Sequence, residues 1–180
     1  MPIVVSDAGP LIHLAQINKL ILVKSLFGSA IITSKVKDEA FDEGIRLGFD
    51  DAEIIGEAMR EGWILVESLS EGLTSVAAKL AKGENISTAD AETLLLATEK
   101  KMELLVDEKI LSNLAKMHGL HVWTTWTVLL EALDRDLIAY LGIESAIEEL
   151  ERKRHKLSRK NALDVLKAAR FVRSKKKIVK

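Results

Sequence analysis

Cysteine is missing altogether from this chain of 180 residues. That excludes disulfides, thiolate nucleophiles and the zinc sites that depend on two or more cysteine ligands, so any metal must rest on carboxylates or histidine. Long apolar runs are missing too. No stretch approaches the roughly 18 uninterrupted apolar residues of a membrane span, and the N-terminus has no basic segment leading into one. A cytoplasmic protein with no membrane segment is the expectation. Internal repeats are absent, and Lys175-Lys176-Lys177 is the one low-complexity stretch. His13, His118, His121 and His155 show neither Glu-x-x-His nor His-x-x-x-His spacing with useful neighbours; they are expected in the core or on the surface rather than on a metal.

What is present suffices for one core. Apolar residues make up 48% of the sequence, and the length is that of one domain with a short extension. The net charge of −1 hides a division. Residues 1–151 carry 13 Lys and Arg against 26 Asp and Glu, whereas residues 152–180 carry 13 against Asp164 alone. The expected organisation is a domain at 1–140 and a helical, strongly basic extension at 141–180. Arg152, Lys153, Arg154, Lys175, Lys176 and Lys177 in that extension suit contact with nucleic acid or an acidic partner surface.

Apolar, β-branched runs recur at Ile3-Val4-Val5, Ala30-Ile31-Ile32, Trp63-Ile64-Leu65-Val66, Leu104-Leu105-Val106 and Leu120-His121-Val122-Trp123. They lack the polar alternation of a half-exposed sheet and read as buried strands. Between them, helical spacing predicts helices at about 10–18, 34–47, 51–61, 71–82, 88–101 and 108–118, then 125–140, with one or two amphipathic helices over 143–173. Pro10 suits a first helical turn, Ser34 is a candidate cap, Ser87-Thr88-Ala89-Asp90 resembles a capping box, and Gly119 fits a helix stop. Such alternation predicts a parallel sheet with helices on both faces, a three-layer α/β/α sandwich of five strands whose carboxyl ends form the functional edge. Trp63, Trp123 and Trp126 are expected to pack rather than stack on bases.

Carboxylates punctuate that edge. Asp7 follows the first strand and precedes Ala8-Gly9-Pro10, a place for a metal ligand or a helix cap. Asp107 holds the equivalent place after Val106, with Glu108 beside it. Two such acids delivered to one edge repel unless a cation joins them; a divalent ion meets that need, and the competing explanations are a counter-ion such as Lys109 or a second helix cap. Glu39 lies in the second turn after strand two, Val36 and Ala40 marking the buried side. Asp90 and Glu92 fall in the first turn after Ser87-Thr88, where the helix start lies either at the active edge or at the opposite one. Ser6 can orient a ligand, although a strand-end serine is more often structural.

Taken together, Ile3-Val-Val-Ser-Asp7-Ala-Gly-Pro-Leu-Ile-His-Leu14, Val36-Lys-Asp-Glu39, Ala89-Asp-Ala-Glu-Thr-Leu-Leu-Leu-Ala97 and Leu104-Leu-Val-Asp107-Glu108 resemble the PIN-domain nucleases over residues 2–140. The nearest branch is the one related to VapC-type toxins. The resemblance implies a sheet of order 3-2-1-4-5 and a catalytic, metal-binding quartet of Asp7, Glu39, Asp90 and Asp107, with Ser6, Glu92 and Glu108 as secondary candidates. It also implies Mg²⁺ or Mn²⁺, an RNA substrate, an antitoxin protein as partner, and a homodimer. Relatives often carry Gly-Glu-Ala-Glu where this chain has Ala89-Asp90-Ala91-Glu92, and a Gly-Thr-Gly turn where it has Val122-Trp-Thr-Thr-Trp126. The choice between Asp90 and Glu92 is therefore open, and Thr124 and Thr125 are given no role.

Four carboxylates are hard oxygen ligands suited to Mg²⁺ or Mn²⁺, and the implied reaction is phosphodiester hydrolysis by in-line attack of water, with positive charge on the phosphoryl oxygens. The competing expectation is a catalytically inactive PIN-like RNA- or protein-binding module in which the acids serve as caps. A receiver-like or dehalogenase-like phosphotransfer domain does not fit, because Asp7 is followed by Ala8-Gly9 rather than by a second acid two positions on.

Overall fold

The computed structural model describes residues 3–153 and 158–178. Five strands form one parallel sheet: β1 (Ile3–Ser6), β2 (Ser29–Ile32), β3 (Ile64–Val66), β4 (Glu103–Leu105) and β5 (Val122–Trp123), in the order β3-β2-β1-β4-β5. The helices are α1 (Ala8–Gln16), α2 (Ile21–Phe27), α3 (Ser34–Lys37), a π-helical segment (Asp38–Asp42) running on into α4 (Glu43–Leu47), α5 (Asp50–Arg60), α6 (Leu73–Glu84), α7 (Thr88–Lys100), α8 (Lys109–Met117), α9 (Thr125–Asp134), α10 (Tyr140–Arg152) and α11 (Arg159–Ile178). No helix among the described residues is long and apolar enough to cross a membrane.

The central strands are apolar on both faces because both faces are covered, whereas Leu65 and Val66 of the edge strand β3, expected to be buried, are exposed. Val4, Ala30, Ile32, Ile64 and Leu105 point into a core shared with α1, α2, α5 and α9, while their neighbours Val5, Ile31, Leu104 and Val106 meet Leu94, Leu96 and Ala97 of α7 and Leu111 and Ala115 of α8. Ala77 and Ala81 seat α6 against Ala91 of α7. Ile143, Ala146 and Leu150 of α10 and Ala169 of α11 join the first of these cores. The family architecture expected from the sequence is thus present, strand order included.

Local differences have local causes. Thr33, not Ser34, caps α3, its hydroxyl accepting from the Val36 N–H at 3.3 Å. The helix expected over 125–140 is broken: α9 stops at Asp134, Asp136 turns through a left-handed φ of 59°, and α10 starts at Tyr140. α2 is an element that periodicity did not reveal. Trp63 is buried, and Trp123 and Trp126 pack against the same core. Trp123 meets Phe27 edge-on with ring centres 5.2 Å apart, and its N–H donates to Glu103 at 2.6 Å.

Parallel strands place all carboxyl ends on one edge, and each following helix starts there and runs back. α7 precedes β4 and enters it from the amino end, so α7 also begins at the carboxyl edge. The N-termini of α1, α3, α7, α8 and α9 consequently converge on one rim, each with its partial positive end toward it.

Candidate active site

Asp7 leaves the carboxyl end of β1, and its own N–H continues the ladder onto the Leu105 carbonyl at 3.0 Å. It holds the N-cap position of α1 in extended conformation, yet its side chain makes no capping hydrogen bond. Burial pushes its carboxyl up to about 7; the charges of Asp90 and then Glu39 push the same way, against the amides of Ala8 and Gly9. The Ser6 hydroxyl is buried and donates to the Asp7 carbonyl at 2.9 Å, a backbone role.

Glu39 lies in the π-helical segment, on a groove of about 720 Å³ lined by Lys35, Asp38, Glu39, Asp42, Glu43 and Arg46. Partial desolvation raises its pKa, as do the charges of Asp90 and Glu43. Asp90 closes a capping box: its carboxylate accepts from the Ser87 N–H at 3.1 Å, while the Ser87 hydroxyl accepts from the Asp90 N–H at 2.9 Å. One backbone bond leaves most of its acceptor capacity open, about four lone-pair sites per carboxylate. Glu92, two residues on, is paired with Lys35, which lines the same groove as Glu39. Glu92 is buried, and Lys35 lies 3.4 Å from its carboxylate. The charge of Asp90 acts on both Asp7 and Glu39. Among the described residues, none of Asp7, Glu39 and Asp90 forms an ion pair.

Asp107 is held differently. Its Oδ1 accepts from the Thr125 N–H at 2.8 Å; its Oδ2 accepts from the Thr125 hydroxyl at 2.6 Å and lies 2.7 Å from His13 Nδ1. Thr125 opens α9 directly after β5, and His13 reaches across from the second turn of α1. Glu108 is spent as the cap of α8, accepting from the Leu111 N–H at 2.6 Å. Neither His13 nor Thr125 was assigned a part by sequence reasoning. The available signal was weak: a polar residue off the buried face of an otherwise apolar helix, and a Thr-Thr pair just past a strand.

Of the basic candidates, Arg152 and Lys153 are exposed at the end of α10, and Lys175 is exposed near the end of α11. Arg154 and the side chains of Lys176 and Lys177 lie outside the described residues. Lys175 stands 5.0 Å from the centre of the Phe171 ring, and both line a groove of about 410 Å³ with His121, Trp123 and Thr127, beside β5 and the start of α9.

Among the described residues, no three His, Asp or Glu side chains are drawn close enough to enclose an ion. Mg²⁺ is bound through one or two carboxylates and keeps several waters. The donor set is all oxygen, and the desolvated Asp7 has no protein cation paired to it; the residues present therefore fit a hard divalent ion.

The sequence pattern of the PIN domain matches residues 3–170. No curated protein matches the chain. Among solved structures, a PilT N-terminus domain protein from the hyperthermophilic archaeon Sulfolobus solfataricus P2 aligns with a TM-score of 0.45 and 20% identity, covering 74% of this chain and 94% of its own.

Proposed function

Since the chain belongs to the PIN-domain family, whose members are typically nucleases, we propose that it is a divalent-metal-dependent endoribonuclease using Asp7, Glu39, Asp90 and Asp107. One observation carries this reading: a desolvated carboxyl, lifted to about 7 beside two further acids, with no ion pair of its own. Mg²⁺ or Mn²⁺, when bound, supplies the positive charge that phosphoryl oxygens need. The chain itself arranges the ligands. β1 delivers Asp7, the start of α7 delivers Asp90, the π-helical segment brings Glu39 across, and Thr125 with His13 fixes Asp107.

RNA enters along the groove beside β5 and α9, where Lys175 and Phe171 offer a cation and a ring next to the acids Glu131 and Asp134. As a toxin, the protein pairs with an antitoxin whose basic side chain fills the acidic groove, and it assembles as a homodimer. The test is substitution. Asp7→Asn and Asp107→Asn, checked as folded by circular dichroism, are each expected to lose at least about 100-fold in Mn²⁺-dependent cleavage of single-stranded RNA, more than a ligand's supporting partner is worth. An unimpaired rate in either variant overturns the assignment.

A specific observation favours the second reading, an inactive binding module: Glu108 is used as a cap, Asp90 closes a capping box, and three donors already reach Asp107. Titration separates the two. An ion bound only by the native state raises the melting temperature by mass action, and no rise at millimolar Mn²⁺ is the result the inactive module demands.

A further inference from the structure

Asp107 is the one acid of the four whose carboxylate is fixed by side chains from two other elements. A carboxylate has about four lone-pair sites. The Thr125 N–H takes one on Oδ1; the Thr125 hydroxyl and His13 Nδ1 take both on Oδ2. What stays open is one direction on Oδ1. We infer that His13 is a positioning residue for Asp107, closing Oδ2 so that Asp107 offers a single oxygen in a fixed direction. The inference rests on the metal-site reading above and adds to it a residue that neither the acidic quartet nor any histidine spacing includes.

Geometry and energetics support the assignment. α1 buries Ala8, Pro10, Leu11, Leu14 and Ala15, whereas His13 leaves that face and crosses to a residue 94 positions away. Both side chains are about four-fifths buried, at 18% and 20% exposure, so their contact is shielded from water and stronger than a surface pair. A carboxylate tied by Thr125 alone still has a free site on each oxygen and can offer both to an ion. With His13 it cannot. Mg²⁺ demands near-ideal octahedral geometry, which a single fixed oxygen meets and a two-oxygen carboxylate does not. Partners that orient ligands in this way are worth about 10- to 100-fold in metal affinity or activity.

The experiment compares His13→Ala, His13→Gln and His13→Asn in the full chain. The amide nitrogen of Asn falls where Nδ1 of histidine does; that of Gln falls at the far side of the ring. Mn²⁺ affinity by calorimetry, kcat and KM on single-stranded RNA, and melting temperature without metal are read for each. The expected result is a loss of about 10- to 100-fold in Mn²⁺ affinity for Ala and Gln, recovery toward wild type in Asn, and a fall in kcat with little change in KM. If the Ala variant does not fold, the Asn–Gln comparison decides alone. Wild-type Mn²⁺ affinity in the Ala or Gln variant, or Asn as weak as Gln, overturns the inference. So does a wild-type chain that binds no Mn²⁺. A wild type that binds Mn²⁺ but cleaves no RNA, with the same ranking of variants, upholds the role of His13 and removes the ribonuclease reading instead.

Discussion

Asp7 takes up a proton more readily in the folded chain than in the unfolded one. Its carboxyl titrates at about 7 when folded, raised first by burial and then by Asp90 and Glu39, against roughly 4 in an unfolded chain. Between those values the native state holds more protons, so stability falls as pH rises through the window, by an amount on the order of 4 kcal/mol once pH passes 7. Glu39 is raised too and adds in the same direction. In EDTA the melting temperature is therefore expected to drop between pH 5 and 8, and Asp7→Asn is expected to flatten that slope and melt higher than wild type at pH 8. Mn²⁺ expels the proton, so its apparent affinity should climb with pH up to about 7. A melting temperature in EDTA that rises over this range would contradict the burial of Asp7. At this scale Asp7, Asp90 and Asp107 stood out because each follows a strand or lies in the first turn of a helix, whereas Glu39, inside a helical run, stood out only in their company. His13 and Thr125 did not: their significance lies in a contact with Asp107 at separations of 94 and 18 residues, and no local pattern encodes it.

Among the elements, the π-helical segment and its packing set the reach of Glu39. Phe41 of that segment lies over Gly56 of α5, where an added Cβ would stand 2.4 Å from the ring. Gly56→Ala gains about 1 kcal/mol of helix propensity and loses about 1–3 kcal/mol to overpacking. Displacement of the ring is expected to win, with a net loss near 1 kcal/mol in urea unfolding and a lower cleavage rate, because Glu39 is two positions from Phe41. A variant as stable and active as wild type would show that the segment yields without consequence. The long elements were readable, since α5, α7 and α8 keep helical spacing and β1, β2 and β4 are unbroken apolar runs. The π segment was not, because a one-residue slip in backbone hydrogen bonding leaves the apolar spacing on either side unaltered. α2 escaped because its seven residues supply too few turns to show a period. The edge at which α7 begins was undecidable from spacing and became evident from direction: a helix entering β4 from below must start above.

For the molecule as a whole, charge is divided more sharply than structure. Within the basic stretch after residue 151, Arg159–Ile178 form α11, whose Ala169 is buried in the core made by β1, α1 and α9, so an electrostatically distinct helix is packed as part of the body. Its charge pattern was plain in the sequence, whereas its packing depended on apolar residues diluted among lysines and arginines. Lys160, Lys167 and Lys175 are exposed on this helix. Replacing all three by Ala is expected to weaken RNA binding at every sequence and to reduce the salt slope of log affinity by about 2, at roughly 0.7 per phosphate contact; an unchanged slope in a filter-binding series would place RNA elsewhere. The outermost strands carry a last consequence. β3 and β5 are three and two residues long, so a wandering extended peptide finds almost no ladder to lengthen at either margin. The protein can leave the rim of helix N-termini open and still resist fibril growth when it accumulates.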